Sequence, residues 1–357
     1  MSEIALIGDI SLNGIISSQP EKNPERFKQI SLFLKSIDFV FGNLEVPVSG
    51  ANEYNENKKT VRYAEKEVTK DILQRLNIGC VSLANNHIYD CKMSGLRATI
   101  DLLDETGILH TGAGWQKQHV EPVIIERDGS IIAFLAYVDK STNPNTELFP
   151  ELLINYFEPA KVFEDISKLR SRVDKIICSI HCGVDYSNYF TQKQQNIART
   201  LIKEGVDIII GHHPHTIQPY EEIKEKYIFY SLGQLCFGDF IQDGELRALK
   251  RKTKLGIIPI IDSKGILRKI IPTRERKGNY IKISNINIDR KLILLMKTNE
   301  QILTNRFFKY IMTIKESITD RLFEFLFGYY RNPFKEMLKL KNYKKGAYII
   351  RDFKSMR

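Results

Sequence analysis

The chain has 357 residues, 43% hydrophobic and 27% charged, ordinary values for a globular protein with a large core. No apolar stretch approaches the roughly 18 residues of a membrane-crossing helix, and five cysteines without framework spacing exclude a disulfide-stapled fold and fit a reducing, cytoplasmic setting. The formal charge of +10 gathers at one end: residues 1–280 hold 36 basic and 36 acidic side chains, whereas residues 281–357 hold 17 and 7.

The N-terminus has no basic n-region and reads as a first strand, 4–7, ending at Gly8-Asp9, not as a signal peptide. A helix is expected over 24–36, with Pro24 in its first turn. A strand over 38–41 then ends at Gly42-Asn43-Leu44-Glu45. Residues 49–60 form a polar surface loop. A helix over 65–76 precedes a strand over 80–83, which runs into Ala84-Asn85-Asn86-His87-Ile88-Tyr89-Asp90. Helices follow at 94–105, closed by Gly107, at 159–169, and at 191–204, closed by Gly205. Strands are expected at 131–137, 175–180, 206–210 and 228–231. The alternation predicts a layered α/β fold.

The β-branched run Val206–Ile210 reads as a buried strand that delivers Gly211-His212-His213-Pro214-His215. Pro214 lacks an amide donor and stops the strand. In an extended backbone His213 and His215 leave on one side, a pair of imidazoles suited to a transition metal. His212 points away, to a supporting layer or to the surface. Asp9, Glu45, Asn86, His87, His181, His213 and His215 all lie just past predicted strand ends, where open α/β sheets bind ligands. Two carboxylates, an amide oxygen and several imidazoles without thiolates suit one or two divalent ions (Mn, Fe or Zn) rather than a structural zinc. Cys178 and Cys182 flank His181 but alternate to the opposite face, as core thiols. His110 and His119 lie outside every motif and read as structural or solvated. Asp90 either orients His87 or caps the next helix. Arg62, Tyr63 and Tyr186 are candidates for lining a substrate pocket.

In their order, Gly8-Asp9, Gly42-Asn43-Leu44-Glu45, Ala84 to Asp90, His181-Cys182-Gly183, Gly211 to His215 and Tyr230-Ser231-Leu232-Gly233 resemble the CapA family. That family is linked to bacterial poly-γ-glutamate capsule synthesis and has a calcineurin-like metallophosphoesterase fold. The resemblance covers roughly residues 1–260. It implies a four-layer αββα sandwich over residues 1–278, followed by a basic, aromatic-rich helical extension over 279–357. The roles known for the wider superfamily imply that Asp9 and His215 hold one metal and that Asn86, His181 and His213 hold the other. Glu45 would bridge them, and His87 would protonate a leaving group or contact the substrate oxyanion. The activity implied is metal-dependent hydrolysis of a phosphoester or amide bond in an anionic polymer or phosphorylated glycan made for the cell surface. The alternative is a non-hydrolytic accessory subunit of a capsule-polymer synthesis or export complex.

This sequence departs from the pattern in four places. The superfamily has Asp-x-His in its first motif, whereas Ser11 stands at the histidine position here, which makes a single-ion site the alternative. Glu45 replaces a shorter Asp. Cys182 stands where Trp is common in the family and Gln234 where Asn is, changes expected to alter the pocket rather than the metal. Beyond the resemblance, residues 292–302 and 307–327 have apolar residues at helical spacing, with Lys/Arg interleaved among Phe/Tyr. That composition fits packing on the body or on a second subunit, a peripheral contact with anionic lipid, or an acidic polymer. No nucleic-acid module is present, and nucleic acid is not an expected partner.

Overall fold

Two β-sheets lie face to face in the computed structural model, which describes residues 1–50, 53–58, 61–142, 151–242, 245–247 and 251–305. The first sheet has eight strands, seven of them in the order Tyr280–Ile283, Leu267–Arg276, Leu255–Asp262, Glu3–Ser11, Phe39–Leu44, Ile78–Ser82 and Leu109–Thr111. The eighth, Gln234–Phe237, pairs with the far end of Glu3–Ser11. The second sheet runs Tyr220–Ile223, Lys226–Phe229, Ile208–His212, Lys175–His181, Ser130–Val138 and Val123–Arg127. In each sheet the middle strands pair in parallel, as strands buried on both faces and rich in Ile, Val and Phe are expected to do.

The layers follow from where the apolar side chains go. Ile4, Leu6, Phe39 and Phe41 of the first sheet pack against Ile132, Phe134, Ile177, Ile208 and Ile210 of the second. Phe41 stacks on Phe134 with ring centroids 4.8 Å apart, a pair that ties the sheets together. Alternate residues face outward. Ala5, Ile7 and Val40 meet the helices Asn23–Leu34, Lys66–Arg75 and Lys92–Thr106. Leu135, Ile176, Cys178 and Ile209 meet Pro159–Arg170 and Gln192–Glu204 on the other side. The result is the expected four-layer αββα sandwich. Cys178 and Cys182 both belong to that outer cluster, Cys182 at its margin, as strand alternation requires.

Local signals set the helix ends. Thr191 and Gln194 form a reciprocal capping box at the start of Gln192–Glu204, and Gly205 closes it in the left-handed region, as Gly107 closes Lys92–Thr106. Helix Ile288–Thr304 buries Leu292 and Leu295 in the core between the sheets. Strand Tyr280–Ile283 pairs with Leu267–Arg276, so the expected boundary at 278/279 falls inside a hairpin and the body continues past it. The helix expected over 307–327 lies outside the described residues. Among the described residues, no helix is long and apolar enough to cross a membrane.

Candidate metal centre

The carboxyl ends of the parallel strands of both sheets converge on one spot, and the polar residues there come from five segments. His181 and His212 end adjacent strands and are paired laterally, so both project toward the first sheet. Asp9 and Asn43 are paired in the same way on that sheet and face back. Two close approaches make this possible. A Cβ on Gly8 would lie 2.2 Å from the Gly233 carbonyl oxygen, and one on Gly211 would lie 1.9 Å from that of Tyr230. Only glycine fits at either place.

Asp9 is fully buried. Its Oδ1 accepts a hydrogen bond from Asn43 Nδ2 at 2.9 Å and lies 3.0 Å from His212 Nδ1. Its Oδ2 accepts from the His213 backbone N–H at 3.3 Å and lies 3.2 Å from His215 Nδ1. Burial pushes this carboxyl up, but the two imidazoles outweigh it and hold Asp9 well below the usual carboxylate range. Glu45, just past its strand, shows the opposite. Burial pushes it well above the ordinary range, and the adjacent Asp9 adds to the shift. His215 Nε2 lies 3.4 Å from Glu45 Oε1, yet neither carboxylate oxygen receives a well-aligned hydrogen bond from a described donor.

Nearby, His181 Nε2 is 3.0 Å from Asn86 Oδ1 and its ring lies 5.0 Å from that of His213. Burial holds His181 well below the normal imidazole range and, with Asp185 opposing it, brings His213 down to about 4, so both rings are neutral at pH 7. Neutral imidazole is the form that binds metal. Donor atoms of Asp9, Glu45 and His181 lie within 4.8 Å of one another. Two donors each about 2.1 Å from one ion and at right angles sit about 3 Å apart, which is the His181–Asn86 separation. Unpartnered carboxylate oxygens, neutral imidazoles and an amide oxygen fit a divalent cation.

His87 stands next to this group. Its Nδ1 is 2.6 Å from Asp90 Oδ2, and its backbone N–H donates to Asn85 Oδ1 at 3.0 Å. Burial lowers its pKa against the opposing pull of Asp90. Asp90 therefore orients the ring; Cys91, not Asp90, takes the cap position of the helix Lys92–Thr106. Tyr186 is half-buried with its ring 6.0 Å from His215. Arg62 lies over Phe237, whose ring meets His215 edge-on at 4.9 Å. Tyr63 stacks on Tyr54, with ring centroids 5.4 Å apart.

Three sequence expectations need correcting. His213 and His215 do not lie in an extended backbone; their φ angles are +93° and +54°. It is a turn around Pro214, not strand alternation, that brings them to the same side. Asp9 does not follow its strand, which continues to Ser11 with a register irregularity between Asp9 and Ile10. His212 is not at the surface but fully buried against Asp9, the supporting role of the two expected. Sequence reasoning missed Asn43 and Asn85. Asn43 reaches both Asp9 and His181, and Asn85 binds the Leu44 carbonyl at 2.8 Å, joining the two motifs that carry Glu45 and His87. Their places inside Gly-Asn-Leu-Glu and Asn-Asn-His were the available signal. His110 and His119 pair with each other, 5.6 Å apart, away from the centre.

Among curated proteins, the chain is 29% identical over 223 residues to the capsule biosynthesis protein CapA of Bacillus anthracis, covering 59% of this chain and 53% of that one. It is 27% identical over 246 residues to the PGA biosynthesis protein CapA of Bacillus subtilis strain 168, covering 65% and 62%. It therefore spans less than two thirds of either relative. Among solved structures, a phosphatase from Mycoplasma pneumoniae superposes with a TM-score of 0.48 at 12% identity, covering 81% of this chain and 96% of that one. The family model for bacterial capsule synthesis protein PGA_cap matches residues 3–239, a span that takes in the first sheet's parallel strands, the whole second sheet and every donor from Asp9 to His215. The chain belongs to that family.

Proposed function

We propose that the chain is a divalent-metal-dependent hydrolase that cleaves a phosphoester or amide bond in the making of a capsule or polyglutamate-like surface polymer. The observation that carries this reading is Glu45, a fully buried carboxylate without a well-aligned hydrogen-bond donor among the described residues, 3.4 Å from His215 Nε2 and within 4.8 Å of donor atoms of Asp9 and His181. A buried anion left in this state is costly unless a cation joins it. When bound, one or two divalent ions (Mn, Fe or Zn) supply an activated water and positive charge at the scissile group. Asp9 and His215 would hold one ion, Asn86, His181 and His213 the other, with Glu45 between. His87 would give up a proton at Nε2 from its imidazolium form, its Nδ1–H being held by Asp90.

Elemental mass spectrometry on wild type and His213→Ala tests the centre, alongside hydrolysis of phosphoesters, γ-glutamyl amides and glycan-linked phosphates. One or two equivalents of metal per chain are expected, falling in the variant, together with metal-dependent turnover. A folded wild type without metal overturns the reading. Metal without any turnover moves the chain to a second reading, an accessory subunit in which the metal holds substrate or structure. Ser11 favours that second reading, because at the superfamily's histidine position it offers no imidazole and its hydroxyl donates to Asn13 Oδ1 at 3.0 Å.

A further inference from the structure

Two cations stand beside His87, and they differ in how their charge is met. Lys58 Nζ donates to the Asn86 carbonyl and lies 3.7 Å from Asp90 Oδ1, so its charge is already compensated. Arg62 makes no such ion pair, although its charge acts on Glu45 and opposes the effect of burial there. Among the described residues no carboxylate lies within ion-pair distance of its guanidinium, and its Nε is buried without an acceptor. What holds it is an aromatic face and a backbone bond. Its Cζ sits 4.7 Å from the Phe237 ring centroid, one ring away from His215. Its backbone N–H donates at 2.8 Å to Asp90 Oδ2, the same oxygen that lies 2.6 Å from His87 Nδ1. One carboxylate oxygen thus sets both the ring of His87 and the start of the Arg62 side chain.

We propose that Arg62 is an anion clamp, which grips a carboxylate or phosphate group of the substrate through its planar fork while Asp90 fixes the spacing between clamp and proton donor. An arginine stacked on a ring keeps its in-plane N–H groups available, and the fork matches an oxyanion two bonds at a time, which a lysine does not. The clamp rests on the hydrolase reading only for what is cleaved beside it; the anion site stands on the guanidinium alone. It accounts for a guanidinium without an ion pair next to a buried donor set, and it predicts that neutral substrates bind poorly.

Isothermal titration calorimetry with inorganic phosphate and, separately, glutarate tests the clamp on wild type, Arg62→Ala and Arg62→Lys, with metal equivalents and melting temperature measured on each. Arg62→Ala is expected to retain metal and fold while weakening at least one anion about tenfold or more, and Arg62→Lys to restore only part of the loss. The anion that loses more identifies the group the clamp takes. Unchanged affinity for both anions in Arg62→Ala, or no binding of either by wild type, overturns the proposal; full recovery in Arg62→Lys overturns the two-bond grip. If wild type carries no metal, the hydrolase reading falls, and the same titrations on that protein still decide the clamp.

Discussion

Two groups of buried charge adjoin the paired strands Glu3–Ser11 and Gln234–Phe237, and they are closed in opposite ways. On one side Lys254 Nζ donates to Asp239 Oδ1 at 2.7 Å and to Glu275 Oε1 at 2.8 Å. Gln234 Nε2 donates to Glu275 Oε2 at 2.9 Å, and Asn279 bonds both the Phe237 carbonyl and the Asp239 amide. Burial lowers the ammonium of Lys254, but its two carboxylates more than reverse this and hold it above the ordinary lysine range. On the other side Asp9 faces His212 and His215, Glu45 faces His215, burial keeps the nearby His181 and His213 neutral, and no lysine or arginine forms an ion pair with either carboxylate among the described residues. The first group carries its own cation and serves the fold. The second has no lysine or arginine in ion-pair contact among the described residues, the place that the proposed metal would fill.

Removing charge should therefore have opposite effects in the two groups. Lys254→Met leaves two buried carboxylates facing each other and is expected to cost about 3–5 kcal/mol of stability, the usual penalty for breaking a buried pair. Urea unfolding with and without metal measures it, and a loss below about 1 kcal/mol would mean that the cluster opens to water. The next effect belongs to the metal. A chelator should lower the stability of wild type by about 3 kcal/mol if the ion is present at about a hundred times its dissociation constant. Glu45→Gln should be insensitive to the chelator. Without metal, that variant should also be at least as stable as metal-free wild type, because the substitution removes a buried carboxyl that must otherwise take up a proton or ionise next to Asp9. A metal-free Glu45→Gln protein markedly weaker than metal-free wild type would show that Glu45 serves the fold and not an ion.

The open group was largely legible in the sequence and the closed one was not, for a physical reason. The proposed metal donors sit in short polar motifs that interrupt apolar runs, so Asp9, Glu45, Asn86, His181, His213 and His215 stand out one motif at a time. The closed cluster draws on Gln234, Asp239, Lys254, Glu275 and Asn279, which are common residues without period or motif, and only the fold brings them together. The same holds for Arg62, whose ring partner is Phe237, far along the chain. The layered fold was readable from β-branched runs alternating with capped helices. The route of the backbone through the turn was not, since the period-two rule for side chains holds only while φ stays negative, and both His213 and His215 leave that region. The charge shift near residue 280 marked a change in composition that the packing does not follow, because Tyr280–Ile283 carries a strand's alternation and its Ile281 is buried.

The smallest expected effect is on the pH dependence of the open group, and its sign follows from the neutral imidazoles. His213 is held at about 4 in the folded chain by burial, against 6.5 when free of the fold. Between these values the unfolded chain carries one proton more than the folded chain on this residue, so stability rises with pH across the window and falls as the solution is acidified through it. One proton corresponds to about 1.4 kcal/mol per pH unit. Glu45 works the other way above its ordinary 4.5, since its folded form holds a proton that the unfolded form releases. The wild-type slope therefore mixes both signs, and the informative quantity is a difference. In metal-free protein, His213→Asn should have a slope between pH 4.5 and 6.5 that is smaller than that of wild type by close to one proton, read from urea midpoints at half-unit steps. Equal slopes would mean that His213 is as free to take up a proton in the folded chain as in the unfolded one, and that its ring is not held neutral for an ion.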